Sequence, residues 1–259
     1  MSEFLKLEKR DHVAVITISN PPANTWTLES LTHLTTLVEG LNEDRAIYAL
    51  VITGEGEKFF SAGADLKSFA DGDAGNANAM AQAFGQAFDA LTRFRGVSIA
   101  AINGYAMGGG LECALACDIR IAEEQAQMAL PEATVGLLPC AGGTQNLPWL
   151  VGEGWAKRMI LCGERVKADK ALAIGLVEEV VGTGESLDKA MALAAMTAKQ
   201  SPSSIARCKT LIMSARDGRS HADGWRMERE LFVDLFSTED QREGVNAFLE
   251  KRTPQWKNR

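Results

Sequence analysis

The chain has 259 residues, 46% hydrophobic and 24% charged, with 27 basic against 34 acidic side chains and a net charge of −7. That balance describes a soluble globular protein, and the length suits one large α/β domain or a domain with an appendage. The acidic balance excludes a general nucleic-acid or anionic-membrane binder, which needs clustered Lys and Arg; a small anion held by a few local cations stays open.

Met1-Ser2-Glu3-Phe4 leads straight into a mixed-charge segment with no basic-then-apolar leader, so the cytoplasm is the expected compartment. Val13 to Ile18 reads as a buried strand, stopped by Asn20-Pro21-Pro22. Leu28, Leu31, Leu34 and Leu41 share a helical face, with Thr27 as its N-cap and Ser30 in the first turn. Ala49 to Thr53 is a second strand, ended by Gly54-Glu55-Gly56. Residues 75–94 are Ala-rich, with Phe84, Phe88, Leu91 and Phe94 at helical spacing. Ser98 to Ile102 is a third strand, Gly110 to Cys117 a helix and Asp118 to Ala122 a fourth strand. Strands alternating with helices imply crossover connections and an α/β architecture. Beyond about residue 185, segments 186–199, 203–216, 222–236 and 239–251 all read as helices. The chain therefore divides into an α/β core over 1–200 and a helical region over 201–259.

The five cysteines, 113, 117, 140, 162 and 208, are odd in number and sit among apolar neighbours, as reduced core thiols do. Cys113 and Cys117 lie one helical turn apart, but the three histidines (12, 33 and 221) are remote in sequence, so no metal is expected. The longest uncharged stretch, 133–152, holds two prolines and several glycines and is no membrane span.

Familiar motifs fail. There is no Gly-Lys dipeptide for a P-loop, and the dinucleotide fingerprint breaks at Cys113 and at Lys157. No Gly-x-Ser-x-Gly elbow exists. Two segments stand out instead. Lys58 to Lys67 follows a strand and is rich in small residues, which let a ligand approach backbone N–H groups or simply pack tightly. Asn103 to Glu112 places three glycines, Gly108-Gly109-Gly110, at a helix start, where free N–H groups suit an oxygen that becomes anionic. Glu112 then falls in the first turn, where by itself it reads as a dipole partner. Glu132 has apolar neighbours, and burial would raise its pKa into the range for acid/base work. Another glycine-rich loop, Gly136 to Gln145, follows.

Together these segments, with Ala141 to Gln145 and the C-terminal Ser237 to Asp240 and Ala247 to Arg252 runs, resemble the enoyl-CoA hydratase (crotonase) family along nearly the whole chain. The resemblance implies a spiral of ββα units, with C-terminal helices that assemble homotrimers or homohexamers. It implies an acyl-CoA thioester substrate, coenzyme A being part of that substrate and not a separate cofactor. By the family pattern Ala64 and Gly109 form the oxyanion hole, and Glu112 and Glu132 are the two catalytic glutamates. Glu132 is expected as the main acid/base group, with Glu112 positioning and activating water. Lys58, Lys67 and Lys251 match phosphate contacts, Phe248 an adenine contact, and Ala62 and Leu66 main-chain adenine contacts. Both glutamates being present favours hydration of a trans-2-enoyl thioester, as in fatty-acid β-oxidation, over Δ3-Δ2 isomerisation. A non-catalytic RNA-binding relative would need a basic helix, which is missing. Two departures are Cys140, where many relatives carry Gly, and Pro21 to Trp26, to which no role is assigned.

Overall fold

The computed structural model describes residues 4–259; Met1, Ser2 and Glu3, which open the expected leaderless start, lie outside the described residues. In chain order the elements are β1 (Leu5–Arg10), β2 (Val13–Ile18), α1 (Leu28–Glu43), β3 (Ala49–Gly54), β4 (Phe59–Ser61) and α2 (Ala74–Thr92). Then come β5 (Val97–Ile102), β6 (Tyr105–Met107), α3 (Gly109–Ala116), β7 (Ile119–Glu123), β8 (Gln127–Ala129) and α4 (Gly143–Leu161). The chain continues through β9 (Val166–Lys167), α5 (Ala168–Ala173), β10 (Glu179–Val181), α6 (Ser186–Thr197), α7 (Pro202–Arg216), α8 (His221–Asp234) and α9 (Glu239–Leu249).

Six strands form one sheet in the order β1-β2-β3-β5-β7-β10, parallel except for β1 against β2. Short strands form a second sheet, β4-β6-β8-β9. Each of β3, β5 and β7 hands the chain to a partner in the second sheet, β4, β6 or β8, before the next helix. This is the spiral of ββα units.

The first sheet is covered on both faces, which explains its unbroken apolar runs. Ala14, Ile16, Leu50, Ile52, Ala100 and Ile102 pack with α1, α2 and α3 in the main core. The alternate residues Val13, Val15, Val51, Ile99 and Ile121 face Ala190 and Ala194 of α6. The helix starts follow local chemistry. Thr27 caps α1 through the Ser30 N–H while Ser30 answers on the Thr27 N–H. Asp73, Ser201 and Thr238 cap α2, α7 and α9.

One side chain ties the sheet ends that carry the site. Asn103, just past β5, donates to the carbonyls of Gly54 (2.9 Å) and Gly56 (2.6 Å) and accepts from the Gly54 N–H (3.1 Å). Asn103→Ala removes the partner of the buried Gly54 N–H and carbonyl and of the exposed Gly56 carbonyl, and a loss of about 2–4 kcal/mol is expected in urea unfolding. A loss below about 0.5 kcal/mol would show that the amide is not the tie.

Candidate active site

Two backbone turns meet at the top of β4 and β6. Gly63 has φ +91°, and a Cβ there would lie 2.7 Å from the Met107 carbonyl oxygen and 3.1 Å from the Gly109 nitrogen. Only glycine lets these two turns approach so closely. The Ala64 turn is held from the other side by the segment 20–26. Trp26 donates to the Gly63 carbonyl (2.8 Å), and the Asp65 N–H donates to the Trp26 carbonyl (3.0 Å). Ala62 donates to the Ala23 carbonyl (2.9 Å), and the Ser61 hydroxyl to the Asn24 carbonyl (2.7 Å). This parallel bridge between Trp26 and Ala64 uses the Gly63 carbonyl and the Asp65 N–H, on either side of Ala64, and leaves the Ala64 N–H without an acceptor among the described residues. Gly109 opens α3, so its N–H also has no acceptor in the helix. Both residues line one pocket of about 430 Å³.

The same pocket is lined by Glu112 and Glu132. Glu112 sits in the first turn of α3, only 2% exposed. Its Oε1 accepts from the N–H groups of Ala141 and Gly143, each at 2.8 Å. Burial raises its pKa, and those backbone donors pull it part of the way back. A Cβ on Gly143 would sit 2.9 Å from that Oε1, so the donor must be glycine.

Glu132 begins a short 3₁₀ turn after Pro131. Both of its carboxyl oxygens are buried without a hydrogen-bond partner among the described residues. Burial, reinforced by the charge of Glu112, pushes it up to about 7. The two carboxyls therefore separate by environment. Burial without donors favours the proton on Glu132, and the two backbone donors favour the charge on Glu112.

The rest of the wall is mostly apolar: Leu66 and Phe69 on one lip, Val135, Leu137 and Leu138 on the other, and Phe84 at the floor. Phe84 is packed so that a Cβ on Gly109 would meet its ring at 2.7 Å. Cys140 opens onto the pocket, where its surroundings, and then the charges of Glu112 and Glu132, push the thiol up to about 11. It is a neutral thiol at pH 7 and no nucleophile. Cys140, Cys162 and Cys208 are exposed, which corrects the expectation of five core thiols; only Cys113 and Cys117 are buried. The exposed three lie at a loop, a helix end and a helix face, where apolar sequence neighbours say little about burial.

Of the residues singled out in the sequence, Ala62, Ala64, Leu66, Gly109, Glu112 and Glu132 share this pocket. Lys58, Lys67, Phe248 and Lys251 do not line it. Lys58 is exposed over the Phe59 ring, 5.4 Å from its centroid, and Lys67 is exposed on the turn beside Leu66. Phe248 is 83% exposed at the far end of α9, next to an exposed Lys251. Thr25 and the 20–26 segment, given no role from sequence, line or brace the site. The segment's bonds to the Ala64 turn reach residues 37–39 positions away, which no local pattern shows.

The sequence profile of the enoyl-CoA hydratase/isomerase family matches residues 8–259. A probable enoyl-CoA hydratase of Bacillus subtilis is 41% identical over 249 residues, covering 95% of each chain. Among solved structures, Pseudomonas aeruginosa DspI is 67% identical with a TM-score of 0.96, over 99% of this chain and 97% of its own. An enoyl-CoA hydratase of Bacillus anthracis is 36% identical with a TM-score of 0.94, over 99% of this chain and 100% of its own.

A carboxyl whose pKa is raised by burial stabilises the fold only while protonated. Its stability contribution is full below the ordinary carboxylate pKa and is lost as pH rises through about 7. Glu132→Gln should therefore melt higher than the parent at pH 8 and equally at pH 4. An equal melting temperature at both pH values would contradict the burial argument.

Proposed function

Since the chain belongs to the enoyl-CoA hydratase/isomerase family, we propose that it adds water across the 2,3 double bond of trans-2-enoyl-CoA thioesters. The observation that carries this reading is the pair Glu112 and Glu132, facing one apolar pocket in different hydrogen-bonding environments, beside the N–H groups of Ala64 and Gly109 that have no acceptor among the described residues. The hydratase names of the Bacillus relatives support it.

The steps balance within the pair. The thioester oxygen lies between the N–H groups of Ala64 and Gly109, which stabilise the negative charge that grows there; each such donor is worth about 10²–10³ in rate. The Glu112 carboxylate takes a proton from water, and the hydroxyl oxygen bonds to C3. The Glu132 carboxyl gives its proton to C2. Product formation leaves the pair with one proton in total, moved from one glutamate to the other, and exchange with solvent restores the starting form. Glu112 suits the base role because the N–H groups of Ala141 and Gly143 donate to its Oε1, which favours the charged form. Glu132 suits the acid role because its oxygens are buried with no partner among the described residues.

Coenzyme A binding follows the same reading. Ala62 and Leu66 present main chain for the adenine at the pocket mouth, and Lys58 and Lys67 stand outside it for the phosphates. Coenzyme A belongs to the substrate, and the chemistry calls for no further cofactor. Assembly into trimers or hexamers is part of the proposal. Its support is the exposed Trp225, Phe232 and Val233 on α8 and Phe248 on α9, more apolar surface than a lone helix face ordinarily shows water. A trimer would also bring Phe248 and Lys251 to a neighbour's mouth. No helix among the described residues is long and apolar enough to cross a membrane, which accords with the proposed cytoplasmic setting.

The purified protein should consume the conjugated-thioester absorbance of crotonyl-CoA or a longer homologue. Glu112→Gln and Glu132→Gln should each lower kcat by about 10²–10⁴. Because the pair must hold one proton, kcat/KM should fall as pH rises above about 7. Full activity in Glu112→Gln would point to isomerisation by Glu132 alone, and no turnover of any chain length would end the hydratase reading.

A further inference from the structure

A second cavity, of about 480 Å³, lies between the turns that lead into β3 and β5 and the helices α7 and α9. Its wall carries four arginines from four separate segments: Arg45, Arg95, Arg207 and Arg259. Arg45 precedes β3 and Arg95 precedes β5, whereas the oxyanion turns follow the opposite ends of those strands. Six residues of strand put about 20 Å between the two places.

Two of the arginines are neutralised. Arg207 is paired with Asp234, and Arg259 with Glu239 at 2.9 Å. The other two have no carboxylate within ion-pair distance among the described residues. Arg45 donates to the Asn258 carbonyl at 3.2 Å. Arg95 donates from Nη1 to the Asn258 side-chain oxygen (3.1 Å) and from Nη2 to the Asp44 carbonyl (2.7 Å). Its Nε is buried with no partner among the described residues. Burial, and then the nearby Arg45 charge, lowers the Arg95 pKa against the smaller opposing pull of Asp44 and Glu43. Glu43 also lines the cavity, and Asp44 is taken by Lys9 at 2.6 Å.

The site is rigidly built. Asp240, 1% exposed, accepts the N–H groups of Lys257 (2.8 Å) and Asn258 (3.0 Å) and the Ser203 hydroxyl (2.8 Å). That fixes the C-terminal segment against α7. Asn258 takes a left-handed φ of +57°, which suits Asn, and so reaches both Arg45 and Arg95.

We propose that this arginine-lined cavity is a binding site for a small phosphorylated anion, separate from the thioester site. The volume suits a small metabolite and not a polymer. Guanidinium groups with unused donors are what phosphate oxygens pair with best. The bound anion would join the C-terminal segment to the starts of β3 and β5.

Calorimetric titration of the full-length protein with pyrophosphate, in low-chloride buffer, tests this. One pyrophosphate per chain should bind, with no competition from crotonyl-CoA. Arg95→Gln and the exposed Arg45→Gln should each weaken binding about ten- to a hundred-fold, and Arg45→Gln should leave thioester turnover unchanged. Without anion, Arg45→Gln should melt no lower than the parent, since it removes a like charge. Fructose 1,6-bisphosphate provides a second arm: tighter binding than pyrophosphate assigns a phosphorylated metabolite, and weaker binding assigns the inorganic anion. The proposal fails if pyrophosphate does not bind, if sodium chloride at equal ionic strength matches its effect, if both variants bind as the parent does, or if crotonyl-CoA displaces it.

Discussion

The site depends on the cost of burying two carboxyl groups beside one another. Each loses water, and their charges oppose each other, so both cannot be ionised cheaply. The protein resolves this asymmetrically. Glu112 receives two backbone donors at 2.8 Å, while both Glu132 oxygens receive none among the described residues. The charge is therefore favoured on Glu112 and the proton on Glu132. The glycines around them follow from the same crowding. A Cβ at Gly108 would come within 3.2 Å of Glu132, at Gly143 within 2.9 Å of Glu112, and at Gly109 within 2.7 Å of the Phe84 ring.

The scaffold supplies that asymmetry through its topology. The spiral sends β3, β5 and β7 into short partner strands, and the chain reverses at the top of each. Ala64, Gly109 and Glu132 come from successive turns of that spiral, so one pocket collects groups far apart in sequence. Asn103 joins the first two turns, and Trp26 braces the first from outside. A buried hydrogen-bonded amide and a fully buried indole are the kind of support that holds a reacting geometry steady.

Much of this was legible in the chain itself. The apolar runs of β2, β3 and β5 and the cap of α1 follow from local rules, and the structure places them within a residue or two of expectation. The second sheet was not legible, because strands of two or three residues carry no periodicity. Nor was β1, whose Leu-Lys-Leu-Glu-Lys-Arg sequence is almost wholly exposed. Glu112 alone looks like a dipole partner, since its donors lie 29 and 31 residues on. The arginine quartet is invisible for the same reason: its members are spread from 45 to 259 among acidic neighbours. A net charge of −7 describes the whole surface and hides a local basic cavity.

The central claim is that desolvation keeps a proton on Glu132 near neutral pH. Infrared difference spectra between the parent and Glu132→Gln, recorded from pH 4 to 9, isolate the carboxyl band of that one residue. The account predicts a protonated carboxyl signal that persists at pH 6 and disappears with a midpoint near 7. A midpoint at the ordinary glutamate value, near 4.5, would contradict it.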